Sequence, residues 1–381
     1  MIKSYNMAGI YIHIPFCKTR CIYCDFYSTI TSDLKDDYIN ALCRELEIRK
    51  SYLSEQSVET IYFGGGTPSQ LDAADFRKIF NAIEINYGTN SAREITLEAN
   101  PDDLTDMYLS SLSGLPFNRI SIGIQTFDDR LLKLLNRRHT SEQAKQAVDS
   151  CRKHGFNNIS VDLMYGLPTE KVSAWKKDME EVIKLNVEHI SAYHLTYEKG
   201  TVIDRLRDEN RIHEVTEEES IAFFSILINT LEESGYDHYE ISNFSKPKKH
   251  SLHNTSYWRG IPYLGCGASA HSYNGNSREW NVSSIRQYID GIKTGNRAYE
   301  TEILDLNTRY NDEIITTLRT KWGISLERIS TSFGNDYLSY CRKMSESYLH
   351  NGFLVESDNH LKLTRQGIFI SDRIMSDLIR V

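Results

Sequence analysis

The chain has 381 residues, of which 40% are hydrophobic and 25% charged, an ordinary balance for a globular protein with room for one large unit and a smaller one. Its 44 Lys and Arg against 52 Asp and Glu give a formal net charge of −8, which argues against a general nucleic-acid binder. No apolar run is long enough to span a bilayer, and the N-terminus lacks the continuous apolar core and small-residue cleavage site of a secretory signal, so a cytoplasmic location is expected.

Apolar alternation first predicts a strand over 9–14 (GIYIHI). Met7 directly precedes it, which leaves residues 1–6 as either a dispensable extension or a start placed too far upstream. A helical stretch carrying Ala41, Leu42, Leu46 and Ile48 follows, then a strand over 58–63, the run Gly64-Gly65-Gly66-Thr67-Pro68, and a helix to the mid-eighties. The pattern continues with strands over 93–98, 118–124, 157–165 and 188–193, separated by helices from about 102, up to about 153, and from about 172. Such alternation implies parallel strands joined by right-handed crossovers. Six units in roughly 195 residues predict an α/β fold, a partial (β/α)6 barrel short of the eight units that close a full one.

Beyond residue 200 the alternation fails. A helix is expected near 216–234, followed by a Gly-, Tyr- and His-rich stretch over 235–280 with little periodicity. The basic run Lys246-Pro247-Lys248-Lys249-His250 reads as a solvated loop. From about 300 the chain turns helical and ends on a hairpin pattern over 352–364, as in a winged helix. A dense basic recognition helix is missing, so a packing role is expected rather than DNA binding. The expected organisation is a core over 1–235, a core extension over 236–300, and a small α+β, winged-helix-like unit over 301–381.

Three of the seven cysteines fall within eight residues, as Cys17-Lys-Thr-Arg-Cys21-Ile-Tyr-Cys24, directly after the first strand. In a reducing compartment that spacing reads as metal binding rather than disulfide bonding. Three soft thiolates suit a [4Fe–4S] cluster and leave one iron open. S-adenosylmethionine (SAM) can chelate that iron through its amino and carboxylate groups, and one electron from the cluster then cleaves its sulfonium. The rival is zinc, which wants four ligands. His13 lies within the strand and Asp25 is a poor partner for three thiolates, so the iron–sulfur reading is favoured. Cys43, Cys151 and Cys341 sit in helical patterns and read as small buried hydrophobes.

Open α/β sheets bind ligands at the carboxyl ends of their strands. Gly64-Gly65-Gly66-Thr67 ends the second strand here, Glu98 the third and Gln125 the fourth; Asp162 lies in the fifth, and Arg137 follows the fourth unit's helix. Each alone would more often be a cap or an ion pair. With the cysteine loop they form a coherent cofactor pocket.

The stretches YIHIPFCKTRCIYCDF, YFGGGTPS, SIGIQTF, LNRRH and VDLMYGLP resemble, in order and spacing, the oxygen-independent coproporphyrinogen III oxidase family of radical SAM proteins. The resemblance runs over nearly the whole chain and includes a C-terminal unit of the kind that family carries. It implies that Tyr11, Gly65, Gly66, Thr67, Glu98, Gln125, Arg137 and Asp162 contact SAM, and that Tyr23 is an aromatic closing over the cofactor.

Two departures separate the chain from the oxidase pattern: Phe26 stands where the oxidase has a further cysteine, two residues after the third, and only eight residues precede the first strand, where the oxidase carries a long segment over its active site. Both features resemble the HemW-type haem chaperone branch, as does His253-Asn254-Thr255-Ser256-Tyr257-Trp258, which fits that branch's HNxxYW signature. The resemblance implies a haem carrier with His253 at the haem, an imidazole being a common axial ligand. A lone histidine bonded in the core is the competing reading of the residue. Cys266 and His271, in the segment Gly265-Cys266-Gly267-Ala268-Ser269-Ala270-His271, are rival donors. The implied partners are haem, an acceptor such as a respiratory haem protein, an electron donor such as flavodoxin or ferredoxin, a second copy of the chain as a homodimer, and a membrane surface touched during delivery. The alternatives are oxidative decarboxylation of coproporphyrinogen propionates and a methylation using two SAM molecules.

Overall fold

The computed structural model describes residues 6–54 and 56–381, so nearly all of the expected N-terminal extension, residues 1–5, lies outside the described residues. Six parallel strands form the centre of the fold: β1 (Met7–Ile14), β2 (Ser57–Gly65), β3 (Glu94–Ala99), β4 (Arg119–Gln125), β5 (Ile159–Tyr165) and β6 (His189–His194), paired in that order. Their period of two separates two faces. Ile10, Ile12 and Ile14, Ile61 and Phe63, Ile95 and Leu97, Ile120, Ile122 and Ile124, and Val161 and Leu163 are all buried in one large apolar core with the helices. The opposite parity carries Tyr11, Tyr62, Thr96, Glu98, Ser121, Asp162 and Ser191. Register brings these into rows, with Tyr11 beside Tyr62, Tyr62 beside Thr96, Glu98 beside Ser121 and Asp162 beside Ser191.

The helix expected from about 102 begins at Asp106. Pro101 instead opens a single 3-10 turn over Pro101–Asp103, and the Thr105 hydroxyl caps the helix by accepting from the Tyr108 amide.

The stretch over 235–280 is more ordered than its lack of periodicity predicts. It supplies β7 (Asp237–Glu240) and β8 (Asn243–Ser245), antiparallel beyond β6, and β9 (Tyr263–Cys266), parallel to β1 on the other side. The strands β10 (His271–Tyr273), β11 (Ser277–Asn281) and β12 (Tyr299–Ile303) continue that edge antiparallel, giving twelve strands in one sheet. Strands of three to five residues are too short to display an alternation, which is why the sequence hid them. Gly265 is required where β9 meets the chain returning as β10, because a Cβ there would lie 1.9 Å from the His271 carbonyl oxygen.

Arg49, which ends the helix Lys35–Ile48, fastens this added edge to the barrel. Its Nη1 donates to the Gly265 carbonyl (2.8 Å) and Glu45 Oε1 (3.2 Å), and its Nη2 to Ser272 Oγ and Glu279 Oε2 (both 3.0 Å).

The C-terminal segment builds its own core from residues including Tyr310, Ile314, Ile329, Leu354, Leu361 and Ile374. Its helices Leu306–Leu318, Leu326–Phe333, Asn335–His350 and Ser371–Leu378 surround a small sheet of β13 (Ile324–Ser325), β14 (Leu354–Ser357) and β15 (His360–Leu363) in the order 13-15-14. Ion pairs from Arg319 to Glu240 (2.8 Å), Arg365 to Glu232 (3.4 Å) and Lys321 to Asp237 tie it to the barrel. Among the described residues no helix is long and apolar enough to cross a membrane.

Replacing Arg49 with Met would remove one of the two arginines on the buried Glu45 and the half-buried Glu279, leaving Arg297 beside both, and is expected to cost about 3 kcal/mol, the low end for removing one member of a buried charge network. Chemical denaturation of Arg49→Met is expected to report a loss of that size, and a loss below about 1 kcal/mol would show that the network is not what fastens the edge.

Candidate functional site

A cavity of about 550 Å3 opens at the carboxyl ends of the parallel strands. Cys17, Cys21 and Cys24 lie on its wall together with Tyr23, Gly65, Gly66, Thr67, Glu98, Gln125, Arg137 and Asp162, so sequence-predicted residues from five successive strand units meet in one place. The cysteine loop is held from both sides. The Cys17 amide donates to the Thr29 carbonyl (2.8 Å), the Ile22 amide to Leu135 (3.3 Å), and the Ile203 amide to the Ile22 carbonyl (2.9 Å). Ile22 and Tyr23 also pack against a small apolar cluster of Leu131, Leu135, Met164, Leu167, Leu195, Ile203 and Ile212.

Hydrogen-bond donors converge on the sulfurs. The Thr67 hydroxyl donates to Cys17 Sγ at 3.3 Å, and Arg137 Nη1 approaches Cys21 Sγ at 3.5 Å. A Cβ on Gly66 would lie 3.1 Å from Cys17 Sγ and 2.9 Å from the Ile14 carbonyl oxygen, so only glycine keeps β2 this close to the loop. Burial pushes the Cys24 thiol up to about 11 and also raises Cys17. Such thiols keep their protons until a metal displaces them. Three sulfurs on one wall, with donors aimed at two of them, fit thiolate ligation of a cluster.

Arg137 joins the walls. Its Nη2 donates to Asn100 Oδ1 at 2.6 Å and to the Gly123 carbonyl, while its Nε is sealed from solvent with no partner among the described residues. Glu98 accepts from the Tyr62 hydroxyl at 2.6 Å and the Gly65 amide at 3.2 Å. Burial pushes it up to about 7, and the neighbouring Asp162 charge adds to the rise. Asp162 is likewise raised by burial, against hydrogen bonds from Ser191 and Ser121. Gln125 turns its backbone left-handed (φ 71°) at the end of β4. The cavity thus carries a guanidinium opposite two carboxylates, a charge pattern suited to a zwitterionic ligand.

Two expected residues, Tyr11 and His253, stand elsewhere, and Phe26 lines the cavity at its edge. Tyr11 does not line the cavity; its hydroxyl meets His13 Nδ1 at 3.1 Å and its ring stacks on Tyr62, one row beneath. Phe26 lies at the mouth, 64% exposed. His253 is 1% exposed and outside the cavity, with Nδ1 bonded to Thr60 Oγ1 and Nε2 to the Tyr257 hydroxyl, both at 2.8 Å, and its ring stacked on Tyr62. An axial ligand needs a ring nitrogen with a free lone pair, so in this conformation the expectation of His253 at an iron is replaced by that of a neutral core histidine, its pKa lowered by burial to about 3. Of the rival donors, Cys266 is completely buried and His271 stacks on Trp280 at the added edge.

Sequence reasoning missed Asn100, Asn136 and Tyr193, which also line the cavity. Asn100 had a signal: it sits two residues beyond Glu98, on the same parity, directly before Pro101.

An unfolded Glu98 ionises near 4.5, so between about 4.5 and 7 the folded chain holds a proton that the unfolded chain has released. Its contribution to stability therefore falls as pH rises through that window. Glu98→Gln removes this term, and its melting temperature is expected to decline less than that of the wild type over the same range. Parallel declines in a thermal-shift series would place the raised carboxyl elsewhere.

Residues 11–182 match the model of the radical SAM superfamily, and residues 304–370 match that of the HemN C-terminal domain. Heme chaperone HemW of Bacillus subtilis is 33% identical over 97% of this chain and 98% of its own length. Its counterpart in Lactococcus lactis is 32% identical over 100% of this chain and 98% of its own length. The solved structure of coproporphyrinogen III oxidase (HemN) from Escherichia coli superposes with a TM-score of 0.85 over 99% of this chain and 92% of that one, at 22% identity, a likeness of fold. The chain belongs to the HemW family within the radical SAM superfamily.

Proposed function

We propose that this protein is a haem chaperone that keeps a [4Fe–4S] cluster and SAM in the barrel cavity, binds haem as cargo, and passes it to an acceptor protein. The observation that carries the cofactor reading is the convergence of Cys17, Cys21 and Cys24 with Arg137, Glu98 and Asp162 in one cavity. The cluster, when bound, supplies the open iron that SAM chelates and the electron that its sulfonium accepts. The chain's own residues do the positioning. Cys17, Cys21 and Cys24 are the thiolate ligands, and Thr67 and Arg137 donate to the sulfurs of two of them. The orphaned Nε of Arg137 is a ready donor for a carboxylate, and Glu98 and Asp162 face the cationic end of the ligand. Gly65, Gly66 and Gln125 bring backbone and amide groups to the same ligand, with Tyr23 beside it.

The cargo reading is supported by the full-length similarity to proteins named heme chaperone HemW and by Phe26 at the mouth, a departure from the cysteine that the oxidase resemblance implies there. The finer expectations rest on that resemblance: a cytoplasmic location, respiratory haem proteins as acceptors, flavodoxin or ferredoxin as electron donor, a homodimer, and membrane contact during delivery.

Anaerobic reconstitution is expected to load about four irons, and Ala at Cys17, Cys21 or Cys24 to abolish loading, whereas Ala at Cys43, Cys151 or Cys341 leaves it intact. SAM should change the electron paramagnetic resonance spectrum of the reduced cluster, and Asp162→Ala and Arg137→Ala should weaken SAM binding about tenfold or more with iron content kept. The loaded protein should bind haem stoichiometrically and release no protoporphyrinogen from coproporphyrinogen. A colourless zinc protein would overturn the cluster assignment, and coproporphyrinogen turnover without haem binding would restore the oxidase.

A further inference from the structure

A haem cargo needs a place of its own, since the barrel cavity is taken by the cluster and SAM. A separate cavity of about 710 Å3 lies between the C-terminal end of the helix Leu252–Trp258 and the C-terminal unit. Its lining shares no residue with the barrel cavity. Two indoles, Trp258 and Trp322, form walls of it, and the Arg259 guanidinium sits 4.9 Å from the centre of the Trp322 ring. Arg328 lines the same space and pairs with Glu313 at 2.7 Å. Trp258 Nε1 is shielded from solvent and has no hydrogen-bond partner among the described residues, an orphaned donor on the cavity wall.

His360 completes the lining from the hairpin between β14 and β15, whose two central residues Asp358 and Asn359 are left-handed (φ 52° and 61°). Its Nδ1 lies 2.8 Å from the Asp358 carbonyl oxygen. A carbonyl only accepts, so Nδ1 carries the proton and Nε2 keeps its lone pair. Among the described residues no group bonds that Nε2. The histidines lining two other cavities differ. His194 uses both nitrogens, on the Leu195 carbonyl and Ser220 Oγ, and His154 both of its own, on the Ser150 carbonyl and Ser110 Oγ.

Resting on the chaperone reading above, we propose that this cleft is the haem site. His360 Nε2 is the axial donor to the iron, Trp258 and Trp322 flank the macrocycle, and Arg259 meets a propionate. Arg319 lies 5.2 Å from the centre of the Trp258 ring and Lys321 5.6 Å from that of Trp322, and Glu313 and Glu327 also line the cleft, so it offers a haem indole edges, a cationic rim for its propionates and a tautomer-fixed imidazole for its iron.

The test is an anaerobic haem titration of the full-length, cluster-loaded protein, followed as Soret difference spectra. His360→Ala is expected to raise the haem dissociation constant about tenfold or more and to shift the Soret band. Added free imidazole should restore the wild-type band in that variant, which a merely structural role would not allow. Arg259→Gln and Trp258→Phe should weaken binding without moving the band. The SAM-dependent spectrum of the reduced cluster should be unchanged in all three. Wild-type affinity and spectrum in His360→Ala would overturn this site while leaving the chaperone reading in place. Failure of the wild-type protein to bind haem would overturn both.

Discussion

Arg137 is the side chain on which the cofactor cavity depends. It reaches Asn100 just past the end of β3, the Gly123 carbonyl within β4, and Cys21 in the loop after β1. Three segments far apart in sequence are thereby fixed relative to one another by one planar group with five donors, a geometry that lysine would not reproduce. Glu98 and Asp162 both resist ionisation through burial, and the buried Arg119 guanidinium works against that at both, with Arg137 adding to it at Asp162.

Much of this was legible in the sequence, for identifiable reasons. The six strands announced themselves through strict alternation, and the cysteine spacing through its density. Glu98 and Gln125 at the carboxyl ends of their predicted strands, and Asp162 within the next, were placed together by the rule that such sheets bind ligands at those ends. What stayed hidden was whatever depends on depth or on short elements. Tyr11 has the right parity but the wrong row. His253 belongs to a recognisable motif, yet a motif does not say that Thr60 and Tyr257 already occupy both ring nitrogens. The strands beyond β6 and before β1 are too brief for periodicity, and their pairing is set by contacts such as Arg49 with Gly265 across 216 residues of chain.

The helix Leu252–Trp258 faces two ways. Its first turn is clamped by Glu94, which accepts from the Leu252 and His253 amides (both 2.9 Å), and His253 reaches the aromatic rows under the cofactor cavity. Its last residue, Trp258, walls the cleft against the C-terminal unit. The segment therefore carries two roles: one end is packing for the barrel floor and the other borders open space.

The alternation of the barrel strands also dictates how the chain can change length. Deleting one residue from β5 would swing Asp162 into the helix layer and Leu163 into the cavity, exchanging a carboxylate for an aliphatic at a stroke. Loops between a helix and the next strand escape this rule, because a residue gained there leaves every strand in phase. Insertions and deletions should thus be confined to the turns on the far side of the barrel from the cysteines, and each cofactor-facing strand behaves as a unit of fixed size in which substitution is permitted and resizing is not.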